Sequence, residues 1–352
     1  MLAIRVDGGQ SIGMGHVIRC LSLAQEIRKL GQNVLFISKF EEGIKKIKQS
    51  EFEVLRLINK KSSSFDGFDY GDKSELISET KEIIQFINKH GIKSLIVDSY
   101  NVDNEFFSSV RKKVKKLVYI DDLNAFDYDV DLIINYNANA NLEDYSRINK
   151  SVKKLLGPEY VLVREQYRNI NNQNIAKDVS EILITSGSTD YYSTIPFFLK
   201  AIVRETDFAD TKLNVVIGQG FKNIDEIKVA SRDRKNIILY EDVSDLSKLM
   251  ISSDVAISSG GSTLYELCAC GTPSLSYIIA QNQEKSAQAL SKKGIIECLG
   301  WYHRLSTDVA VQKIKSLCID FKRRKELSAK MQEVVDGNGA RRAAEEILKQ
   351  IN

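Results

Sequence analysis

The sequence predicts an α/β fold of two successive doubly wound, Rossmann-like domains. Short apolar strands alternate with amphipathic helices along most of the chain, as in parallel sheets covered by helices. A glycine-rich turn connects a strand to a helix once in each half, and a polar linker at 171–177 separates the halves. The domains are therefore expected at 1–170 and 171–335. A C-terminal helix, 336–352, can pack back toward the first domain.

Length and composition limit the class of protein. The chain has 352 residues, enough for two domains, and 50 basic against 47 acidic residues give a formal charge of +3. This balance gives no reason to expect nucleic acid or a membrane as a partner. The five cysteines are odd in number and mostly in apolar contexts, which favours reduced thiols in a cytoplasmic protein. We find no signal peptide, no membrane-length apolar run and no metal-ligand spacing, so no cofactor or metal is expected. The oligomeric state stays open.

The first strand leads through the loop 7–15 into an amphipathic helix that begins at His16. Gly13 and Gly15 let a phosphate or a sugar approach the backbone, and the first helical amides attract an anion. The positive field of the helix start favours a neutral His16 imidazole, which can act as a general base on water. Such turns often only pack a helix on a sheet, and such a histidine is usually a surface or capping residue. The dinucleotide spacing G-x-G-x-x-G is broken at Ile18.

The first half continues the alternation of strands and helices. Its predicted strands are 34–37, 52–55, 94–100, 117–122, 132–137 and 160–163, and its predicted helices are 43–48 and 73–90. The helix 73–90 ends at Gly91, a common C-terminal signal. Residues 62–71 are predicted to be a polar loop.

Three of these strands run into polar residues at their carboxyl ends, namely Asp98 with Tyr100, Asp121 with Asp122, and Asn135 with Asn137. Because the carboxyl ends of parallel strands open on one edge, we expect all six side chains near His16. A single acid would be unremarkable, but three such strands indicate a binding cleft. Asp98, Tyr100 and Asn137 are therefore predicted to contact a substrate, together with Gly13 and Gly15.

The second half restarts the pattern. Its predicted strands are 182–185, 213–217, 237–239, 254–257 and 274–277, and its predicted helices are 245–250, 264–270, one from 282, and a group from 306 that is interrupted at 336–339. Any two-domain α/β enzyme or periplasmic-type binder would share this pattern, although the missing signal peptide counts against the binder.

The second glycine turn, Gly260 and Gly261, is the more specific of the two. Ser262 and Thr263 add hydroxyl groups at a helix start, so a diphosphate could bind to amides and hydroxyls there. Glu266 lies one turn into the helix, from where a carboxylate can reach ribose hydroxyls. The loop is not of the Walker type, because no GK[ST] follows. The alternative is a capped helix with a solvent-facing glutamate.

Several motifs span most of the chain in a fixed order: R-V-D at 5–7, IGMGHVIRC at 12–20, VDSY at 97–100, IDDL at 120–123, INYNA at 134–138, 157–167, ISSGGSTLYE at 257–266 and NQE at 282–284. In these motifs the chain resembles the UDP-2,4-diacetamido-2,4,6-trideoxy-β-L-altropyranose hydrolase family of pseudaminic acid biosynthesis. That family is related to the MurG-type GT-B glycosyltransferases. It often has histidine where Ser99 stands.

The resemblance implies a GT-B fold, with two Rossmann-like domains facing across a cleft. It also implies that His16 is catalytic and activates water, which attacks the anomeric carbon so that UDP leaves and the sugar is released with inversion. No metal is implied, since helix dipoles and amides stabilise the diphosphate. The UDP site is predicted to comprise Ser186, Gly187, Gly260, Gly261, Ser262, Thr263, Glu266, Asn282 and Gln283.

Two alternatives stay open. A GT-B glycosyltransferase that uses a UDP-N-acetyl sugar donor would share the fold and the UDP site, and would differ in carrying an acceptor surface. No apolar or basic membrane-facing patch is apparent beyond scattered lysines. A UDP-sugar binding module would lack chemistry, and the position of His16 counts against it.

Overall fold

A computed structural model describes residues 1–9, 12–58, 73–171, 175–232, 234–241, 243 and 245–351. The chain divides into two compact units. Unit 1 comprises Met1–Arg164 and Asn338–Asn352, and unit 2 comprises Glu165–Gly337. The first boundary thus comes slightly before the position near residue 170 that the sequence indicates. The loop predicted at 62–71 lies outside the described residues.

Unit 1 contains a parallel sheet of seven strands in the order β3-β2-β1-β4-β5-β6-β7. The strands are β1 (Leu2–Val6), β2 (Val34–Ser38), β3 (Glu53–Arg56), β4 (Ser94–Asp98), β5 (Lys116–Ile120), β6 (Leu132–Asn135) and β7 (Lys153–Leu156). Every residue of β1, β2 and β4 is buried. This explains why these strands read as continuous apolar runs, because helices cover both faces of a parallel sheet.

Four helices of unit 1 are α1 (Gly15–Lys29), α2 (Glu41–Gln49), α3 (Lys73–His90) and α4 (Asn104–Arg111). The predicted helix 73–90 is confirmed. After α1, Gly31 has a φ of +88°, a left-handed conformation that lets the chain turn toward β2. The N-terminus of α4 is capped by Asp103, whose carboxylate accepts from Phe106 N at 2.8 Å.

The strand predicted at 160–163 is wrong. The last strand of the sheet is β7, and a 3-10 turn at Pro158–Tyr160 follows it. Gly157 has a φ of +108°, and Pro158 has no N–H to donate to a neighbouring strand, so the chain leaves the sheet here. The apolar run 161–163 is nevertheless buried, which is why its composition resembles that of a strand.

Unit 2 contains a parallel sheet of six strands in the order β10-β9-β8-β11-β12-β13. The strands are β8 (Glu181–Thr185), β9 (Lys212–Ile217), β10 (Ile237–Glu241), β11 (Val255–Ser259), β12 (Ser274–Ile278) and β13 (Glu297–Trp301). The helices are α5 (Thr194–Val203), α6 (Ile224–Ser231), α7 (Ser247–Ser252), α8 (Ser262–Cys270), α9 (Gln281–Lys292), α10 (Thr307–Ile319) and α11 (Phe321–Val334). β13 is not among the predicted strands, and its short run contains Gly300 with a φ of +85°.

The last helix, α12 (Gly339–Ile351), belongs to unit 1 and contacts α1. Its buried side is narrow, with Ala343, Ala344 and Ile347. Gly339 lies so close to the backbone of Val161 that a β-carbon would clash there. None of the described helices is long and apolar enough to cross a membrane.

Candidate functional site

Each sheet contains one point at which the strand order reverses. In unit 1 it lies between β1 and β4, and in unit 2 between β8 and β11. The connections after these strands leave in opposite directions, which opens a crevice at the carboxyl edge where ligands of such folds bind. The loop 7–15 follows β1 and Asp98 ends β4, whereas Gly260 and Gly261 follow β11. Each predicted site therefore lies at the reversal point of its own sheet.

The described part of the loop 7–15 is held in place by backbone contacts. Gly9 N donates to Gly13 O at 3.1 Å, and Gly13 has a φ of +76°. From α2, Gly43 N donates to Gly8 O at 3.0 Å. A β-carbon on Gly43 would lie 2.7 Å from Gly8 O, so only glycine permits this approach. Gly8 thus packs on α2, a contact that was not predicted from the sequence.

His16 contacts a buried carboxylate. Its Nδ1 lies 2.6 Å from Asp98 Oδ1, with side-chain exposures of 10% for His16 and 0% for Asp98. Burial by itself would raise the pKa of Asp98, but the Arg19 guanidinium and His16 hold that pKa well below its usual range. The carboxylate is therefore ionised, and the proton in this short contact belongs to Nδ1. In a neutral ring, Nε2 then carries the basic lone pair.

Asp98 has further protein partners besides His16. Its two oxygens accept from Arg19 Nε and Nη2 at 2.6 and 2.5 Å, and from Cys20 Sγ at 3.2 Å, in addition to His16. The carboxylate is fully buried and contacts three protein side chains, namely His16, Arg19 and Cys20. A contact of Asp98 with a substrate stays a prediction. The carboxylate also opposes the positive field of the helix start.

Arg19 is the main residue that the sequence analysis missed. It is three residues after His16 on α1, so both side chains lie on one face of the helix. Besides Asp98, it donates to Tyr136 Oη at 2.6 Å and to Asp122 Oδ1 at 3.2 Å. The i, i+3 spacing of a histidine and an arginine after a glycine loop was the available signal.

Asp122 connects two further predicted residues to this cluster. Tyr100 Oη donates to Asp122 Oδ2 at 2.7 Å, and Asn137 Nδ2 donates to Asp122 Oδ1 at 3.0 Å. The Tyr100 ring also packs edge-on against His16, with the ring centres 4.7 Å apart. Burial would raise the pKa of Asp122, but Arg19 lowers it, so this carboxylate is ionised as well. The structure therefore brings Tyr100 and Asn137 together with His16, and their contact with a substrate stays a prediction.

Two of the six strand-end residues lie elsewhere, so the expectation that all six converge is wrong. Asp121 accepts from Tyr128 Oη at 2.9 Å and from Tyr145 Oη at 2.7 Å, and Asn135 Nδ2 donates to Tyr145 Oη at 2.8 Å. Both side chains are almost fully buried. Asp121 directly follows β5, whereas Asp122 lies in the bend that comes next, and the two carboxylates bind different partners.

In unit 2, three turns meet at the carboxyl edge of the sheet. Ser259 Oγ donates to Ser186 O at 3.2 Å. Gly187 has a φ of +82°, and a β-carbon on it would lie 3.6 Å from Thr263 Oγ1. A β-carbon on Gly260, which follows β11, would lie 3.2 Å from Cβ of Gln283, which follows β12. The structure thus juxtaposes predicted residues that follow β8, β11 and β12.

The remaining predicted UDP residues differ in exposure. Gly261 is the N-terminal cap of α8, Ser262 is exposed, and Asn282 is exposed in the first turn of α9. Glu266 is only 8% exposed, which contradicts the alternative of a solvent-facing glutamate. UDP contacts for this set stay predictions.

The turn after β9 supports a neighbouring loop, a role that was not predicted from the sequence. Gly220 N donates to Ser188 O at 3.0 Å. A β-carbon on Gly218 would lie 2.5 Å from Gly187 O, so this approach also requires glycine. The turn 218–220 therefore supports the loop that follows β8.

Comparison with known proteins gives a family match to part of the chain. Residues 181–347 match the glycosyltransferase family 28 C-terminal domain. The chain is 26% identical over 295 residues to a UDP-2,4-diacetamido-2,4,6-trideoxy-β-L-altropyranose hydrolase of Campylobacter jejuni, covering 82% of this chain and 96% of that protein. It is 31% identical over 211 residues to a Helicobacter pylori protein named pseudaminic acid cytidylyltransferase and UDP-2,4-diacetamido-2,4,6-trideoxy-β-L-altropyranose hydrolase, covering 58% of this chain.

Some relatives are longer than the matched region. The chain spans 37% of the Helicobacter pylori protein. It spans 56% of an uncharacterised Methanocaldococcus jannaschii protein, with 27% identity over 296 residues and 80% of this chain covered. Among solved structures, Acinetobacter baumannii MurG superimposes with a TM-score of 0.70 at 13% identity, covering 99% of each chain, which shows the fold. The resemblance to the altropyranose hydrolases is confirmed in sequence, and the fold is the GT-B fold of the related MurG-type glycosyltransferases.

Proposed function

We propose that the chain is a nucleotide-sugar hydrolase. It releases UDP and a 2,4-diacetamido-2,4,6-trideoxy sugar from the corresponding UDP-sugar, in the biosynthesis of pseudaminic acid. The names of two relatives support the substrate class. The observation that carries the proposal is the contact between His16 Nδ1 and Asp98 at the reversal point of the unit 1 sheet.

His16 is the general base in this proposal. Nε2 takes a proton from water while the water oxygen forms a bond to the anomeric carbon. The C–O bond to UDP breaks at the same carbon, and its electron pair stays on the phosphate oxygen, so the anomeric configuration inverts. The imidazolium that results is compensated by the Asp98 carboxylate, as in other histidine–carboxylate pairs.

Unit 2 binds the leaving group in this proposal. Amides at the start of α8 and the hydroxyls of Ser262 and Thr263 bind the diphosphate, and the helix dipole stabilises the negative charge that develops on UDP. Gly187 lies beside Thr263, and because it has no side chain its backbone is bare next to these groups. Glu266 accepts hydrogen bonds from the ribose hydroxyls.

The direct test is incubation of the protein with the UDP-sugar in water enriched in ¹⁸O, without any acceptor. We expect free UDP and a free sugar of inverted configuration, with the label on the anomeric oxygen of the sugar. Label on the phosphate of UDP would indicate P–O cleavage and contradict the mechanism. Release of UDP only after addition of a sugar acceptor would support the alternative, a GT-B glycosyltransferase, which the match at residues 181–347 favours.

Glu266→Ala is expected to weaken UDP binding by about 1.5–3 kcal/mol, because one or two charge-assisted hydrogen bonds to the ribose are lost. Isothermal titration calorimetry with UDP measures this change. Glu266→Gln keeps the volume of the buried side chain and separates the loss of charge from a packing defect. Glu226→Ala, on the exposed side of α6, is the control. Unchanged affinity in Glu266→Ala would remove Glu266 from the site.

Activity is expected to persist in excess EDTA, since we assign stabilisation of the phosphates to amides, hydroxyls and the helix dipole. Among the described residues, no group of three or more His, Cys, Asp or Glu is arranged to hold a metal ion. The measurement is the rate of UDP release before and after chelation. Loss of activity that magnesium or manganese restores would contradict this prediction.

A further inference from the structure

Arg19 binds both carboxylates of the His16 cluster. Its Nε and Nη2 contact Asp98 at 2.6 and 2.5 Å. Its Nη1 contacts Asp122 Oδ1 at 3.2 Å, and its Nη2 lies 2.9 Å from Asp122 Oδ2. The fifth oxygen is Tyr136 Oη, 2.6 Å from Nη1. These five oxygen contacts equal the number of N–H donors of a guanidinium, which cannot be deprotonated in proteins.

The guanidinium also lies near the imidazole, with Arg19 Nη2 3.0 Å from His16 Nδ1. Arg19 could donate to Nδ1 only if Nδ1 carried no proton. In that case Nδ1 and the ionised Asp98 oxygen, 2.6 Å apart, would oppose each other with two lone pairs. The shorter contact therefore decides the assignment of the proton to Nδ1, and Arg19 and His16 approach each other because both bind Asp98 Oδ1.

The charges of the cluster do not cancel when His16 is neutral. Two carboxylates, Asp98 and Asp122, face one guanidinium, so the cluster carries one net negative charge. A proton on His16 brings that sum to zero. Without Arg19 the sum would be one unit more negative, and without the Asp122 charge it would be one unit more positive. Other titratable groups near the cluster include Cys20, Tyr119 and Tyr136, and burial raises the pKa of each, so all three stay uncharged. Tyr100 donates its hydroxyl proton to Asp122.

We infer that Arg19 is a positioning residue that sets the tautomer of His16 and the charge that faces its ring, by holding Asp98 in place and by offsetting the charge of Asp122. This inference rests on the proposed function for its catalytic consequence. The role of Arg19 in positioning His16 can be tested independently of the proposed function, because the tautomer and the titration of His16 are measurable without a substrate. The side-chain exposures of 8% for Arg19 and 7% for Asp122 make the interaction strong, since water screens it little.

The test is a pair of variants with opposite charge effects. Arg19→Gln removes the guanidinium. In a plot of kcat against pH, we expect the fall on the acid side (the acid limb) to move to higher pH by about 1–3 units. Asp122→Asn removes a carboxylate, and the limb is expected to move to lower pH by about the same amount. Arg19→Lys keeps the charge but not the bidentate geometry. In that variant the limb is expected to stay near its original pH while kcat falls about 10–100-fold.

The second readout is nitrogen-15 NMR of histidine-labelled protein. The chain has only three histidines, His16, His90 and His303, so the His16 signal is identified by its absence in His16→Asn. Wild type is expected to show the proton on Nδ1. The titration of this signal should shift upward in Arg19→Gln and downward in Asp122→Asn. Shifts in the same direction for both variants, or none, would overturn the inference.

Arg5→Lys is the matched control. Arg5 is another buried arginine of unit 1, paired with Asp7 at 2.6 Å and Glu79 at 3.0 Å, and 3% exposed. We expect this variant to unfold more readily while its His16 signal and acid limb stay in place. A fall in kcat in Arg5→Lys as large as that in Arg19→Lys would mean that replacing any buried arginine by lysine suffices, which contradicts the inference. If Arg19→Gln fails to fold, Asp122→Asn and Arg19→Lys still decide. NMR shifts as expected in a protein that releases no UDP would refute the proposed function alone.

Discussion

His16→Asn is expected to lower the rate of UDP-sugar hydrolysis about 10²–10⁴-fold, the usual contribution of a positioned general base. Asparagine keeps a polar side chain of similar reach, and its amide can still contact Asp98. It cannot take up a proton near pH 7, so water loses its base. UDP affinity should be nearly unchanged, because the proposed UDP site lies in unit 2 and His16 in unit 1. Steady-state kinetics and calorimetry measure the two quantities.

The pH dependence adds a second criterion for His16. Wild-type activity should fall on the acid side as the imidazole protonates, since only the neutral ring accepts a proton from water. His90→Asn is the control, because His90 lies in the last turn of α3 and packs near Phe86. Near-normal release of UDP and sugar by His16→Asn would rule out its role as base. Loss of UDP affinity in the same variant would indicate a structural role.

Asp98→Asn is expected to reduce both activity and stability. An asparagine can offer its amide N–H₂ to His16 Nδ1, which favours the tautomer with the proton on Nε2 and removes the basic lone pair from that atom. We therefore expect turnover to fall about 10²–10⁴-fold, as for orienting carboxylates in other histidine–carboxylate sites. The change also leaves the buried Arg19 with one carboxylate in place of two. Breaking a buried ion pair costs about 3–5 kcal/mol, measured by urea denaturation at pH 7.

The stability difference should depend on pH in one direction. The pKa of Asp98 is lowered in the folded protein, so its contribution is fully present above the pKa of an unfolded aspartate, about 3.9. It is lost as the pH falls through the folded value. The gap between wild type and Asp98→Asn should therefore narrow below about pH 4. Asp129→Asn, at a side chain that is 62% exposed, should show no gap at either pH. A gap that widens in acid would contradict an ionised Asp98.

Much of the fold could be predicted from the sequence because the signals are local. Buried parallel strands such as β4 read as apolar runs, and the period of α3 and its terminal Gly91 mark a helix without reference to its neighbours. The glycine turns at 13–15 and 260–261 are local signals in the same sense, because glycines predict that another group can approach the backbone closely. The strand predicted at 160–163 is wrong because residues 161–163 are apolar for burial and do not pair with a strand. β13 was missed because its five residues include a glycine.

The sequence by itself determined the two-domain α/β class, the order of the units along the chain, and the placement of His16 and Gly260 in turns between strand and helix. Only the tertiary structure decided which polar residues meet. Asp98 lies 82 residues from His16 and touches it because β1 and β4 are neighbours in the sheet. Asp121 and Asp122 are adjacent in sequence, yet they bind different partners, because Asp121 directly follows β5 and Asp122 lies in the bend that comes next. Arg19 binds Asp98 at the end of β4, Asp122 after β5 and Tyr136 after β6. These partners are distant in sequence, so no local pattern could predict that they meet.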